Sequence, residues 1–114
     1  MTEADMPLLR WHVEPARDAT IVHLTGEIDL GTRPAFAAAI DKARSAPTDL
    51  IVIDLTNVSF IGSVGIQVLI EAHRQVDRQV RIAHGGGIAR RAFEISGVHE
   101  VLSVYETLEQ ARTA

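Results

Sequence analysis

The run Leu50-Ile-Val-Ile-Asp-Leu55 holds five aliphatic side chains in six residues, three of them β-branched. A strand of this composition has no polar face to offer water, so it is expected at the centre of a sheet, covered on both sides. The rest of the chain has to supply that cover. Phe36, Ala39, Ile40 and Ala43 recur at helical spacing within residues 34–44. Thr32 is available there as a cap, Pro34 falls in the first turn and Pro47 ends the segment. Ile66, Leu69, Ile70, His73 and Val76 form the stripe of a second helix; residues 88–96 read as a third and 106–112 as a fourth.

Residues 8–13 and 20–24 read as two strands joined by the turn-like cluster Pro15-Ala-Arg-Asp18, an antiparallel hairpin. The pattern breaks over residues 26–31 and resumes as strand at 79–83 and 101–104. Strand alternating with helix implies right-handed crossovers and neighbouring parallel strands. The expected fold class is therefore α/β: a mostly parallel central sheet, an N-terminal antiparallel hairpin and about four helices. With 114 residues, 46% of them apolar, and no Pro/Gly/Ser-rich divider, the chain is expected to form a single domain over residues 1–114, with 1–6 as a flexible N-terminus.

Charge and residue usage remove several function classes. The net charge of −4 carries no block of like sign and no basic footprint for DNA or RNA. The absence of cysteine excludes a disulfide framework and a thiolate metal site. No apolar run approaches the ~20 residues of a membrane helix, and the start Met-Thr-Glu-Ala-Asp lacks the basic opening of a signal peptide. These features lead to the expectation of a cytoplasmic protein.

Ser63 stands where the central strand has ended and the second helix begins. The first N–H groups of a helix lack intrahelical partners and carry partial positive charge, so an anion or phosphorylated side chain is stabilised there. Serine is also an ordinary helix cap at such a position, contributing ~1 kcal/mol.

Three segments, Leu24-Thr-Gly-Glu-Ile-Asp-Leu-Gly-Thr32, Val52-Ile-Asp-Leu-Thr-Asn-Val-Ser-Phe-Ile-Gly-Ser-Val-Gly-Ile-Gln67 and Arg90-Arg-Ala-Phe-Glu-Ile-Ser-Gly-Val98, together resemble the STAS domain family. The resemblance spans essentially the whole chain and is specifically to stand-alone anti-sigma factor antagonists. It implies a small STAS-type α/β domain that binds an anti-sigma factor, itself a serine kinase, and so releases a sigma factor. It further implies that phosphorylation of Ser63 ends the interaction, with ATP and Mg²⁺ used by the kinase and no cofactor held by this chain. Family members usually read Asp-Ser-Ser-Gly or Asp-Ser-Thr-Gly at this turn; here it reads Gly62-Ser63-Val64-Gly65, so the hydroxyl is kept and the carboxylate before it is lost.

The partner-binding surface implied by the resemblance comprises Gly62, Ser63, Val64 and Gly65 with Asp29 from the neighbouring loop. Asp29 has two readings, a partner contact and a turn residue bonding its own backbone ahead of the first helix. The Gly85-Gly86-Gly87 run before Arg90 and Arg91 invites an anion reading, but it lacks the Gly-Lys-Ser/Thr ending of a P-loop. The five histidines show no metal-ligand spacing, and Asp54 has no second catalytic group beside it in sequence. No enzymatic activity is expected. Alternatives to the antagonist are a non-phosphorylated STAS subunit of a lipid-transport or stress-signalling complex and an anion- or nucleotide-sensing module.

Overall fold

The computed structural model describes residues 8–114; residues 1–6, expected as a flexible N-terminus, lie outside the described residues. In chain order the elements are β1 (Leu9–Pro15), β2 (Thr20–Ile28), α1 (Arg33–Arg44), β3 (Leu50–Ile61), α2 (Ser63–Gln75), β4 (Gln79–Ala83), α3 (Gly87–Ser96), a short 3₁₀ turn (Val98–Glu100), β5 (Ser103–Tyr105) and α4 (Leu108–Thr113). They build one five-stranded sheet in the order β1-β2-β3-β4-β5. β1 and β2 pair antiparallel; every other pairing is parallel. The α/β fold expected from the central run is thus the fold observed.

Stepping across the sheet always in one direction by right-handed crossovers puts the connecting helices on one face. Val22, Leu24, Ile51 and Ile53 pack there with Phe36 of α1, Leu69 of α2 and Phe93 of α3. The opposite side chains Ile21, Val52 and Ala83 pack with Ala111 and Leu108 of α4. Residues 50–55 are buried throughout, as a strand covered on both faces requires. Phe36 and Phe93 are fully buried. Each stabilises the fold by roughly 1.5–3 kcal/mol relative to an exposed ring.

Two strands outrun their sequence signals. β2 does not stop at Leu24 but continues to Ile28, and the apparent breaker Gly26 lies within it at φ +122. A Cβ there would stand 2.1 Å from the Leu8 carbonyl oxygen, so the glycine marks a close approach of β1 rather than a strand end. β3 likewise runs on to Ile61. Its register with β2 shifts between His23 and Thr25 and again between Gly26 and Glu27, and such bulges erase the alternation by which a strand is read.

Helix boundaries follow the signals more closely. Thr32 precedes α1 and Pro34 sits in its first turn, but the Thr32 side chain does not cap the helix; its hydroxyl donates to the Glu27 carbonyl at 2.9 Å. In α2 the buried stripe is Gly65, Val68, Leu69 and Ala72, with Ile66 and Ile70 only partly covered. The C-terminal helix begins after Thr107, whose hydroxyl accepts from the Gln110 N–H while the Gln110 side chain accepts from the Thr107 N–H, a complete capping box. Arg112 on that helix holds Asp18 of the β1–β2 turn at 2.7 Å, and this bond keeps the Asp18 carboxyl below its usual range.

Candidate functional site

β2 and β3 end side by side, Ile28 opposite Ile61. Just past Ile61, the Gly62 N–H donates to the Ile28 carbonyl at 2.9 Å, which ties the β3–α2 turn to the loop carrying Asp29. The two segments singled out in the sequence, far apart along the chain, are thereby brought to one end of the sheet. This is the carboxyl end of the parallel strands, where α/β folds commonly present functional groups.

Gly62 is the N-cap of α2, with extended backbone at φ −91 and ψ 177. Its carbonyl accepts from Gly65 at 3.0 Å and from Ile66 at 3.3 Å. Ser63 is therefore the first helical residue and not the cap. Its hydroxyl has no protein partner among the described residues, and the residue is exposed. Without an i−4 carbonyl to bond, the Ser63 and Val64 N–H groups also remain open at the positive end of the helix. No acidic residue lies in the first turn of α2.

The remaining predicted residues divide by orientation. Val64 is half-buried, whereas Gly65 is buried beneath the helix against Ile28 and Ile61. Gly65 thus sets how closely α2 approaches the strand ends and offers no outward surface. Asp29 is half-buried, and its Oδ1 accepts from the Thr32 N–H at 3.0 Å. The turn-residue reading of Asp29 is realised, with its second carboxylate oxygen left unbonded among the described residues.

Sequence reasoning missed two apolar neighbours of this turn. Leu30, next to Asp29, is 71% exposed, and Phe60, two residues before Gly62, is 47% exposed. A Cβ on Gly62 would lie 3.4 Å from the Phe60 ring, so the cap's lack of a side chain keeps the ring uncovered. Large apolar groups left in water beside an unbonded hydroxyl suit docking to a protein surface. The available signal was an aromatic residue outside any apolar stripe, placed just before a strand-to-helix turn.

Two polar clusters lie away from this turn. Asp54, isolated in sequence, is buried and accepts from the Thr56 N–H and hydroxyl through Oδ1, while Oδ2 lies 3.0 Å from His23 Nδ1. His23 Nε2 lies 2.7 Å from Glu14 Oε1, completing a carboxylate-imidazole-carboxylate chain across β3, β2 and β1. Two of the three N–H groups of the glycine loop after β4 are used internally: Gly85 donates to the Glu106 carbonyl at 2.7 Å and Gly86 to His84 Nδ1 at 2.8 Å. Arg90 is engaged with Glu94. Burial lowers the His84 pKa below its usual value, and its bonded Nδ1 is consistent with the neutral ring. Among the described residues no group of three or more His, Asp or Glu could hold a metal ion, and no helix is long and apolar enough to cross a membrane.

A mixed five-stranded sheet with three crossover helices on one face and an exposed serine opening the second helix defines a small STAS-type α/β domain. The chain belongs to the STAS domain family, whose profile matches residues 10–111. It is 30% identical over 95 residues to the anti-sigma-F factor antagonist RsfB of Mycobacterium tuberculosis, covering 82% of this chain and 78% of that protein. It is also 30% identical over 91 residues to an anti-sigma-B factor antagonist of Staphylococcus aureus, covering 77% and 84% respectively. The crystal structure of an anti-sigma factor antagonist from Mycobacterium paratuberculosis superposes with a TM-score of 0.84 at 30% identity, over 90% of each chain.

Proposed function

We propose that this chain is an anti-sigma factor antagonist acting in the cytoplasm. Its β3–α2 turn docks on an anti-sigma factor that is also a serine kinase, the sigma factor is released, and phosphorylation of Ser63 ends the interaction. The observation that carries this reading is the Ser63 hydroxyl: exposed, unbonded among the described residues, at the first position of a helix, three residues after the exposed Phe60 and on a turn tied through Gly62 and Ile28 to the loop of the exposed Leu30. Names of relatives at 30% identity support the same partner class.

The chemistry supports a switch. Phosphoryl transfer from ATP to Ser63 Oγ releases ADP, and the hydroxyl proton passes to the kinase, which also supplies Mg²⁺. The product adds about 1.5 to 2 negative charges to a surface otherwise suited to apolar contact. Free N–H groups of α2 stabilise that phosphate in the unbound chain, while docking has to desolvate it. Gly62 places no like charge beside it. In the docked state Val64 and Asp29 flank the hydroxyl, and Asp29 has a carboxylate oxygen to offer a partner's donor.

Gly62 also favours a second reading, in which the chain docks as a STAS subunit without phosphate control, because the turn lacks the carboxylate usual in the family. Incubation with candidate anti-sigma factors and Mg-ATP, followed by mass spectrometry and by binding measurements on wild type, Ser63→Ala and Ser63→Glu, separates the two. The antagonist reading expects phosphate on Ser63, binding by wild type and the alanine variant, and loss of binding by the glutamate variant. Phosphate at another residue, or equal affinity of all three chains, would remove the Ser63 switch. Failure to bind any anti-sigma factor would remove the antagonist assignment.

A further inference from the structure

The outer edge of β1 closes the sheet, and among the described residues no strand pairs with it. An open edge offers a row of unpaired N–H and C=O groups to another chain, and folds commonly guard such edges with lysine, proline, a bulge or an inward charge. On β1 that protection is limited to Arg10 and Glu14, opposite in sign, and a proline at its end. Its register with β2 runs without a shift from Leu9 opposite Gly26 to Pro15 opposite Thr20, its one proline is the last residue, and the sole lysine of the chain, Lys42, lies elsewhere.

The residues along this edge are arranged about a centre. Read outward from His12, Trp11 is matched by Val13, Arg10 by Glu14 and Leu9 by Pro15. Two antiparallel copies of β1 paired about His12 would therefore set Arg10 of each copy opposite Glu14 of the other on one face. On the other face Trp11 would meet Val13, twice. This is the self-complementarity that a two-fold interface demands, since every contact is repeated by symmetry. Opposite charges directly across an antiparallel pair are favourable and like charges unfavourable.

Three further observations fit a second copy. Arg10 is exposed and has no carboxylate partner among the described residues. Among the described residues Glu14 uses only Oε1, on His23, and its other oxygen has no partner there. Trp11 and Val13 pack against the core yet stay half-buried, so the edge retains apolar surface that a neighbouring strand would cover.

We propose that β1 is a homodimerisation edge, joining two five-stranded sheets into one of ten strands about a two-fold axis at His12. The edge shares no residue with the Ser63 turn. A seven-residue strand pair falls in the small interface class, below about 1,200 Å², so the dimer is weak and concentration-dependent.

Sedimentation of the full chain from micromolar to millimolar concentration tests this. The expected apparent mass rises toward twice that of the monomer. Arg10→Glu makes the edge wholly acidic and Glu14→Arg makes it wholly basic, so each variant alone should dimerise about tenfold more weakly or worse. Mixed together, the two should form a 1:1 heterodimer, because each acidic position then faces a basic one. Hydrogen exchange on wild type provides a readout independent of the variants' folding: β1 amides should become more protected as concentration rises. A wild type that stays monomeric throughout, a dimer indifferent to both substitutions, folded variants that fail to associate on mixing, or protection confined to other elements would each overturn the proposal.

Discussion

Gly65 and Ile28 pack with no room for another atom: a Cβ on the glycine would stand 2.5 Å from the Ile28 Cγ2 and 2.8 Å from the Ile61 Cγ1. The first turn of α2 is thereby held directly over the ends of β2 and β3. Gly65→Ala is expected to lower stability by about 1–3 kcal/mol through overpacking, less whatever the better helix propensity of alanine returns. Urea unfolding measures the loss. The same displacement should move Ser63 and weaken docking even though Gly65 itself is covered; a variant that loses stability and keeps full affinity would show the turn's position to be unimportant.

Thr32 is the hub of the β2–α1 loop. Its hydroxyl accepts from the Asp29 N–H at 2.9 Å and donates to the Glu27 carbonyl, while its own N–H donates to Asp29. Thr32→Val keeps the shape and removes both hydroxyl bonds. The expected cost is about 1–3 kcal/mol, since polar groups in a partly buried loop lose a partner. Faster amide exchange at Asp29 should accompany it; unchanged exchange there would contradict the role assigned to the threonine.

Arg78 gathers the carbonyls at the end of α1, donating through Nη2 to Arg44 at 3.1 Å and through Nη1 to Ala46 and to Thr48 at 3.2 Å. One planar fork thus satisfies three acceptors around a turn. Arg78→Met is expected to destabilise by about 2 kcal/mol, with lysine in its place recovering only part because it lacks the fork. Equal stability of the methionine and wild-type chains in thermal unfolding would count against this.

His84 makes stability depend on pH. Burial is the largest cause holding its imidazole below the usual 6.5, with Arg90 and His99 acting in the same direction and Glu106 and Glu94 against it. Between that lowered value and 6.5 the folded chain binds fewer protons than the unfolded one. Its contribution is therefore fully present above about pH 6.5 and is lost as pH falls through this window, at no more than about 1.4 kcal/mol per pH unit. His84→Asn keeps an acceptor for the Gly86 N–H without titrating. Its unfolding free energy should fall less than that of wild type between pH 7 and 5; parallel curves would rule out His84 as the source.

The sheet's centre was legible because residues 50–55 have one reading only, and the helices because their apolar residues recur at fixed spacing. What escaped had physical reasons. Gly26 looks like a strand breaker, yet its missing side chain lets β1 approach β2. The far half of β3 lost its period of two to two bulges. Small residues do not register as an apolar stripe, so the buried positions Gly65 and Ala72 of α2 gave no signal beside their larger neighbours. Asp54 and His23 are 31 residues apart and meet only through strand register. Ser63 was recognisable from the break between strand and helix, but the exposed Leu30 and Phe60 beside its turn depend on which side of the chain each loop presents.

β4 pairs with β3 only from Leu50 to Asp54, so the last stretch of β3, the part that delivers Ser63, has β2 as its one strand partner among the described residues. The molecule is in this sense a cantilever. A single residue gained or lost in β2 would displace the serine, whereas the β4 side reaches this stretch only through packing, with Gly85 close against Thr56. The serine's place is therefore set first by register on the β2 side of the sheet.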